Sequence, residues 1–322
     1  MPQIRIASFA TAVCLAVLIA GFALFANTGP NRNVLTFNPD WLVRLPEFLA
    51  DIYNSTVLHL FALMIAGGLL LERLIPARKE PATNAPVNIV YGAMMLFFAA
   101  ALVPLQSAFV QGAIEHIGWS GIFDLDFETG PSVPLAFAAM LVSALVLDFF
   151  FYWFHRLQHS GLLWPQHLLH HSDTALNVTT TQRAHFLEHV LIPVFMTLPL
   201  VLLFRLPATD VIFIAAIPAA WAYFVHMNIR VGFGPLWWLL TSPQYHRIHH
   251  SIEPKHFDRN FALWFPVWDI MFGTAHRPRG GEYPATGVSG IEITTFSEAA
   301  TLPFVAWYRM AADSVRRLRE SG

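Results

Sequence analysis

Apolar runs about as long as a bilayer is thick recur along this chain, separated by short polar stretches. A membrane-spanning helix needs about 20 mostly apolar residues. Ile6–Ala26, Val87–Val110 and Ser132–Phe154 meet that length. Thr56–Leu71 is shorter, and Glu72 directly after it is placed to reach back to the headgroups. Val190–Phe204 and Val211–Met227 flank the turn-like RLPATD, and read either as a tight pair of spans or as a hairpin dipping into one leaflet. For Ile6–Ala26 the alternative is a cleaved signal peptide, but the run exceeds the usual apolar region of about 7–15 residues and no clean small-x-small site follows. The pattern predicts an all-α, polytopic integral membrane protein with about four to six transmembrane helices.

Charge orients these spans. Residues 72–85 carry Arg73, Arg78 and Lys79, whereas residues 111–131 carry Glu115, Asp124, Asp126 and Glu128 and neither Lys nor Arg. The positive-inside bias places the first loop in the cytoplasm and the second outside. The span ending at Phe154 then delivers the chain to the cytoplasmic side. The arginine-rich remainder, from Arg230 to Arg319, forms a cytoplasmic helical cap, with Phe261–Phe272 and Phe304–Val315 as amphipathic or interfacial segments. Residues 1–131 are thus N-terminal transmembrane helices, 132–275 the central domain and 276–322 a cytoplasmic tail.

Composition sharpens the class. The chain has 322 residues, 55% hydrophobic and 12% charged, with a formal net charge of −2. About 25% charged residues is usual for a soluble domain, so an ordinary soluble enzyme, a disordered protein and a nucleic-acid binder are excluded. A single cysteine, Cys14, rules out a disulfide framework, a cysteine-based zinc site or an iron–sulfur cluster. Histidine is the outlier: 15 are present, and 11 fall between His155 and His250.

These histidines are spaced. His155 and His159 form H-x3-H; His167, His170 and His171 form H-x2-H-H; His246, His249 and His250 repeat it. On a helix, positions i, i+3 and i+4 share one face, so each cluster projects its imidazoles from one side of a turn. Neutral imidazole suits iron, zinc and copper, and three such faces can surround two metal ions. His226 directly follows an apolar span and reads as a further ligand, while His185 and His189 share a face and serve either as ligands or as hydrogen-bond partners of ligands. His59, His116, His256 and His276 read as structural. A haem site would use two axial histidines and leave six of the eight clustered ones unexplained. Asp148 lies two turns before His155 near the inner end of an apolar span, where a carboxylate is costly and usually functional; it is expected to orient a ligand imidazole. Glu188, Asn228 and Asp269 are weaker candidates for that role.

FYWFHRLQH, QHLLHHS and YHRIHHS resemble the histidine boxes of the fatty acid hydroxylase / sterol desaturase superfamily. RAHFLEH is similar to its R-x-H-P-L-E segment, VHMN to its H-S-N segment, and NFALWFPVWDIMFGT to the segment after its last box. The likeness runs from about Leu147 to Thr274. It implies that the central domain is catalytic and holds a non-haem di-iron centre, with zinc able to replace iron on purification. Its box ligands would be His155, His159, His167, His170, His171, His246, His249 and His250, joined by His226. O2 and two electrons would be used to hydroxylate or desaturate an unactivated C–H bond of a membrane lipid, whether sterol-like, fatty acyl or ether lipid. Phe186 stands where the family has proline, and Arg230 where some members carry another histidine. With no dinucleotide fold in view, the electrons would come from an external ferredoxin or cytochrome with an NAD(P)H reductase, docking near Arg247, Arg259, Arg277 and Arg279. The expected location is a bacterial inner membrane, the metal site facing the cytoplasm. The alternative is a membrane metal-binding or transport protein without oxygenase activity.

Overall fold

The computed structural model describes residues 56–80, 82–119, 121–124, 133–205 and 220–321. The run Ile6–Ala26 and residues 211–219 of the run Val211–Met227 lie outside them. Among the described residues the regular elements are helices apart from one two-residue parallel pairing, Phe123–Asp124 (β1) with Phe204–Arg205 (β2), and three isolated bridges.

Three long helices come first: α1 Thr56–Leu74, α2 Ala85–His116 and α3 Val133–Gln158. A short α4, Trp164–His171, follows. Residues Val178–Gln182 make a 3-10 turn closed by Asn177, whose side chain accepts from Thr179 N. Then α5 Phe186–Ile192 runs through a π turn at Pro193–Thr197 into α6 Leu198–Leu203. A helix over residues 220–226, α7, returns toward the other histidines. The remaining helices are α8 Pro243–His249, α9 Val267–Met271 and the long α10 Phe296–Ser321.

Among the described residues, one continuous helical stretch, Phe186–Leu203, is long and apolar enough to cross a membrane. Its 18 residues span about 27 Å at 1.5 Å per residue, close to the hydrocarbon thickness of a bilayer. His185 caps its start, and at its far end Leu203 O accepts from Ile122 N and Leu202 O from Trp119 Nε1. It therefore runs from the histidine-bearing end of the molecule to the segment after α2. The outward faces of α1 to α3 and of the π turn carry exposed Leu63, Leu70, Phe109, Val142 and Val194, apolar surface of the kind that marks a contact with membrane or protein.

The principal core includes Val225 and Met227, the chain neighbours of His226. Val178, Tyr223 to Val225, Met227, Ile229, Val231, Leu263 and Trp264 pack together, with Phe61, Met64 and Ile65 of α1 against them. Gly68 lets α1 come close, since a Cβ there would stand 2.7 Å from Val178 Cγ2. A lattice of buried polar groups ties the helix ends to the loops. Asp173 accepts from Asn84, Asn88 and Thr180. Arg183 donates to Asn88 Oδ1 and Ser172 Oγ. Glu72 does not reach headgroups as its position suggested: it is buried and accepts from Val178 N at 2.6 Å and Asn228 N at 2.9 Å. A carboxylate this close to two free backbone N–H groups is satisfied better by them than by the interface. In the Phe261–Phe272 stretch Phe261 to Trp264 are buried, whereas Val267, Ile270 and Met271 of α9 are exposed opposite buried Asp269. In α10 Phe304, Tyr308 and Val315 are exposed.

Candidate metal centre

Nine histidines from four helices meet in two nests. His155, His159, His167, His171 and His249 bring ring nitrogens within 4.8 Å of one another, as do His170, His226, His246 and His250. The split follows from helix geometry. Residues i and i+4 share a face, so His155 with His159 and His167 with His171 point into the first nest, and His246 with His250 into the second. Consecutive residues diverge by about 100° around a helix. The i+3 histidine of each H-x2-H-H therefore turns to the other nest: His170 joins the second and His249 the first. The expectation that each cluster acts as one face is corrected accordingly. His171 and His250 stack between the nests, centroids 4.3 Å apart.

Local chemistry aims the rings. Ser242 caps α8 by accepting from Tyr245 N, with Pro243 in its first turn. His155 Nδ1 lies 2.7 Å from Phe261 O, His249 Nδ1 2.8 Å from Arg259 O, and His226 Nδ1 2.6 Å from Ala222 O. A carbonyl only accepts, so each Nδ1 carries the proton and each Nε2 presents a bare lone pair inward. Asn260, in the left-handed region at φ 61°, turns the chain so that the carbonyls on either side of it reach two different imidazoles. Asparagine tolerates that conformation better than most residues. Its side chain holds the turn by donating to Tyr245 O and accepting from His276 N.

The donor set fits metal ions. Nε2–Nε2 separations are 3.1 Å for His155–His167, 3.2 Å for His159–His171 and 3.1 Å for His171–His249 in the first nest. In the second they are 3.0 Å for His170–His226 and 2.9 Å for His226–His246. Two imidazoles on one ion at about 2.0–2.1 Å, at right or tetrahedral angles, stand about 2.9–3.4 Å apart. Lone pairs converging at that distance repel unless a cation lies among them. His167, His170, His171, His246, His249 and His250 are held well below the ordinary imidazole range, first by burial and then mainly by neighbouring imidazoles. They are neutral at pH 7, the state in which they bind metal.

The expected outer partners are distributed differently. Glu188 Oε1 lies 3.4 Å from His167 Nδ1 and can accept its N–H. Asp148 does not touch an imidazole. It accepts from the backbone N–H groups of Leu263, Trp264 and Phe265 at 3.1, 3.0 and 2.8 Å. The reason is that α3 passes directly beneath the segment after Asn260, whose free N–H groups outcompete a ring two turns away. Asp269 does the same for Phe261 and Ala262 and also accepts from Tyr245 OH. His185 stands outside both nests, its Nδ1 near Leu187 N and its Nε2 3.1 Å from Ala300 O. The His189 side chain lies outside the described residues. Arg247, expected on a docking surface, is buried and paired with Glu80 and Asn228; Arg277 and Arg279 are exposed. Side-chain patterns carried no sign of the three carbonyls that orient His155, His226 and His249.

A family model for fatty acid hydroxylases matches residues 140–274, the stretch that holds all nine histidines. Alkylglycerol monooxygenase of Xenopus tropicalis is 34% identical over 131 residues, covering 40% of this chain and 29% of that protein. The human alkylglycerol monooxygenase is 32% identical over the same share of each. Ornithine lipid hydroxylase OlsE of Rhizobium tropici is 32% identical over 172 residues, covering 53% of this chain and 51% of its own. The chain thus spans about half or less of the length of these relatives. No solved structure matches it.

Proposed function

We propose that the chain is a member of the fatty acid hydroxylase superfamily, whose model matches residues 140–274, and that it is an O2-dependent, non-haem di-iron oxidoreductase that hydroxylates or desaturates an unactivated C–H bond of a membrane lipid. The observation that carries this is the pair of all-histidine nests, buried and adjacent. Five and four neutral nitrogens suit iron, copper or zinc alike, and the superfamily selects iron. When bound, the iron pair supplies O2 activation and oxidation of the C–H bond.

The chain's own contribution is placement. Phe261 O, Arg259 O, Ala222 O and Glu188 fix the orientation of four imidazoles, so the donors need little reorganisation as the metals change charge. The core that contains Val225 and Met227, on either side of His226 in the chain, would keep water from that side of the nests. A lipid entering sideways between the apolar helices would meet the nests at the end of its path. The relatives named for alkylglycerols and ornithine lipids support a polar membrane lipid as substrate. The two electrons come from an external ferredoxin or cytochrome with its NAD(P)H reductase, and the exposed Arg277 and Arg279 offer an acidic carrier a salt-sensitive contact. The nests face the cytoplasm of a bacterial inner membrane in this reading.

The test is metal analysis of the purified chain together with comparison of lipids from aerobic cells with and without it. About two tightly held irons per chain and an oxygen-dependent lipid product are expected. The His249→Ala/His250→Ala double substitution removes one donor from each nest and should abolish the product and lower metal content. Full iron loading and product formation in that variant would overturn the proposal, and freely exchanging ions without any product would favour metal transport.

A further inference from the structure

A third group of metal-type donors lies outside the paired nests. His256 and His276, read as structural from the sequence, converge with Glu282 so that their ligand atoms all fall within 4.8 Å of one another. His256 Nε2 is 3.3 Å from Glu282 Oε1, and His276 Nε2 is 3.3 Å from both Oε1 and Oε2. A plain charge-assisted hydrogen bond would close to about 2.7–2.9 Å. Two ligands on one zinc ion at about 2.0–2.1 Å in a tetrahedron stand about 3.3–3.4 Å apart. The three separations are thus long for charge-assisted hydrogen bonds and match the spacing of ligands on one ion.

Each donor is held from behind. His256 Nδ1 is 2.8 Å from Ser251 Oγ, which takes up that ring nitrogen and leaves Nε2 for the cluster. Asn260 fixes the backbone of His276 by accepting from its N–H. Glu282 is fixed by its N–H to Arg279 O, by Arg279 N donating to Oε2, and by Gln244 Nε2 donating to its carbonyl. The His256 side chain is 0% exposed, while those of Glu282 and His276 are 15% and 21% exposed, which leaves one side open for a water as fourth ligand. Lys255 Nζ, the nearest competing cation, stands 3.8 Å from Glu282 Oε1, but is 60% exposed and rests closer, at 2.9 Å, to Glu253.

We propose that His256, His276 and Glu282 form a separate site for a divalent transition ion, zinc in preference, that staples residues 276–287 onto the segment following the last histidine turn. Two imidazoles, one carboxylate and an open position suit zinc. The staple closes where it matters for the nests. Gly287 N donates to His250 O, Ser251 pairs with Thr286, and Gln244 of α8 donates to Arg279 O. The ion would therefore brace the element that supplies His246, His249 and His250 without touching them.

The experiment loads the full-length chain, purified in detergent with its iron, with zinc or cobalt(II) and reads metal content by mass spectrometry and the cobalt spectrum. One zinc per chain beyond the iron is expected, with cobalt giving the intense visible bands of a tetrahedral centre that zinc displaces. His276→Ala and Glu282→Gln should each lose that one ion while keeping iron content, so failure here is distinct from failure of the di-iron reading. Either variant folding and binding as much zinc as the parent would overturn the site. Should both variants misfold, the parent decides alone: no zinc beyond the iron and no tetrahedral cobalt spectrum would equally overturn it.

Discussion

Asp148→Asn isolates the link between the buried carboxylate of α3 and the histidine nests. The carboxylate is 2% exposed and accepts three backbone N–H groups, from Leu263, Trp264 and Phe265. Asparagine has nearly the same shape but only one acceptor atom. Its oxygen can keep Leu263 and Trp264, which share Oδ1 in the parent. Its amide nitrogen then faces the Phe265 N–H, donor against donor. An orphaned buried N–H costs about 1–3 kcal/mol, and weakening two charge-assisted bonds to neutral ones costs about 1 kcal/mol each. The sum, about 3–5 kcal/mol, should lower the midpoint of thermal unfolding by about 10 °C, taking about 2–4 °C per kcal/mol for a domain of 150–250 residues. The damage should also reach the metals, because Phe261, two residues upstream, holds His155 Nδ1. A loss of about 10–100-fold in metal affinity is typical for such an indirect partner. The assay is thermal unfolding of the iron-loaded protein in detergent alongside chelator competition. An unchanged midpoint would refute the reasoning. Weaker metal binding at full stability would restore the simpler idea that Asp148 acts on an imidazole.

Three further outcomes follow from the same geometry. Glu188→Ala removes the acceptor at His167 Nδ1 and should weaken metal binding about 10–100-fold, whereas Glu188→Gln, which can still accept, should cost less; chelator competition ranks them. Asn260→Ala should destabilise by about 1–2 kcal/mol from its left-handed backbone alone, and more through lost side-chain bonds, measurable by unfolding, with Asn260→Gly recovering the backbone part. In the metal-free chain, the six histidines of α4 and of the α8 turn with lowered folded values take up protons more readily when unfolded, near the ordinary value of about 6.5. Stability should then be level above about pH 6.5 and fall as pH drops below it, and an unfolding midpoint constant from pH 7 to pH 5 would contradict this.

Side-chain periodicity made the nine histidines visible because metal ligation needs a particular residue type at helical spacing, and few other roles explain eight clustered imidazoles in so apolar a chain. Their division between two nests was less legible. It depends on the 100° turn between neighbours, which separates His170 from His171 and His249 from His250, and on which helices end up facing each other. The mistaken reading of Asp148 has a different origin. The same seven-residue separation that places a carboxylate beneath an imidazole also places it beside the loop crossing α3, and backbone N–H groups are as good a partner. Glu72 was misread for the same reason. A charged residue at the end of an apolar run looks like an interfacial anchor when the groups that satisfy it, Val178 N and Asn228 N, lie more than a hundred residues away. Arg247 shows the limit for cations, since a surface arginine and one buried against Glu80 are identical in sequence.

The double histidines carry a consequence for the centre as a whole. Had each box fed one metal, three independent helices could adjust three independent sites. Instead α4 and α8 each contribute to both nests from a single turn, so neither helix can rotate to improve one set of donors without spoiling the other. The imidazoles are then fixed by carbonyls from chain segments outside those helices, Phe261 and Arg259 to one nest and Ala222 to the other, and the segment that begins at Phe261 rests on the buried carboxylates of Asp148 and Asp269. A rigid frame of this kind suits the proposed chemistry, in which bound metals would change charge while a flexible lipid is met at one carbon, because the cost of holding the donors is met in folding rather than during the reaction. It also explains why so many charged side chains are buried away from the histidines in a chain otherwise short of charge: they hold the backbone that holds the rings.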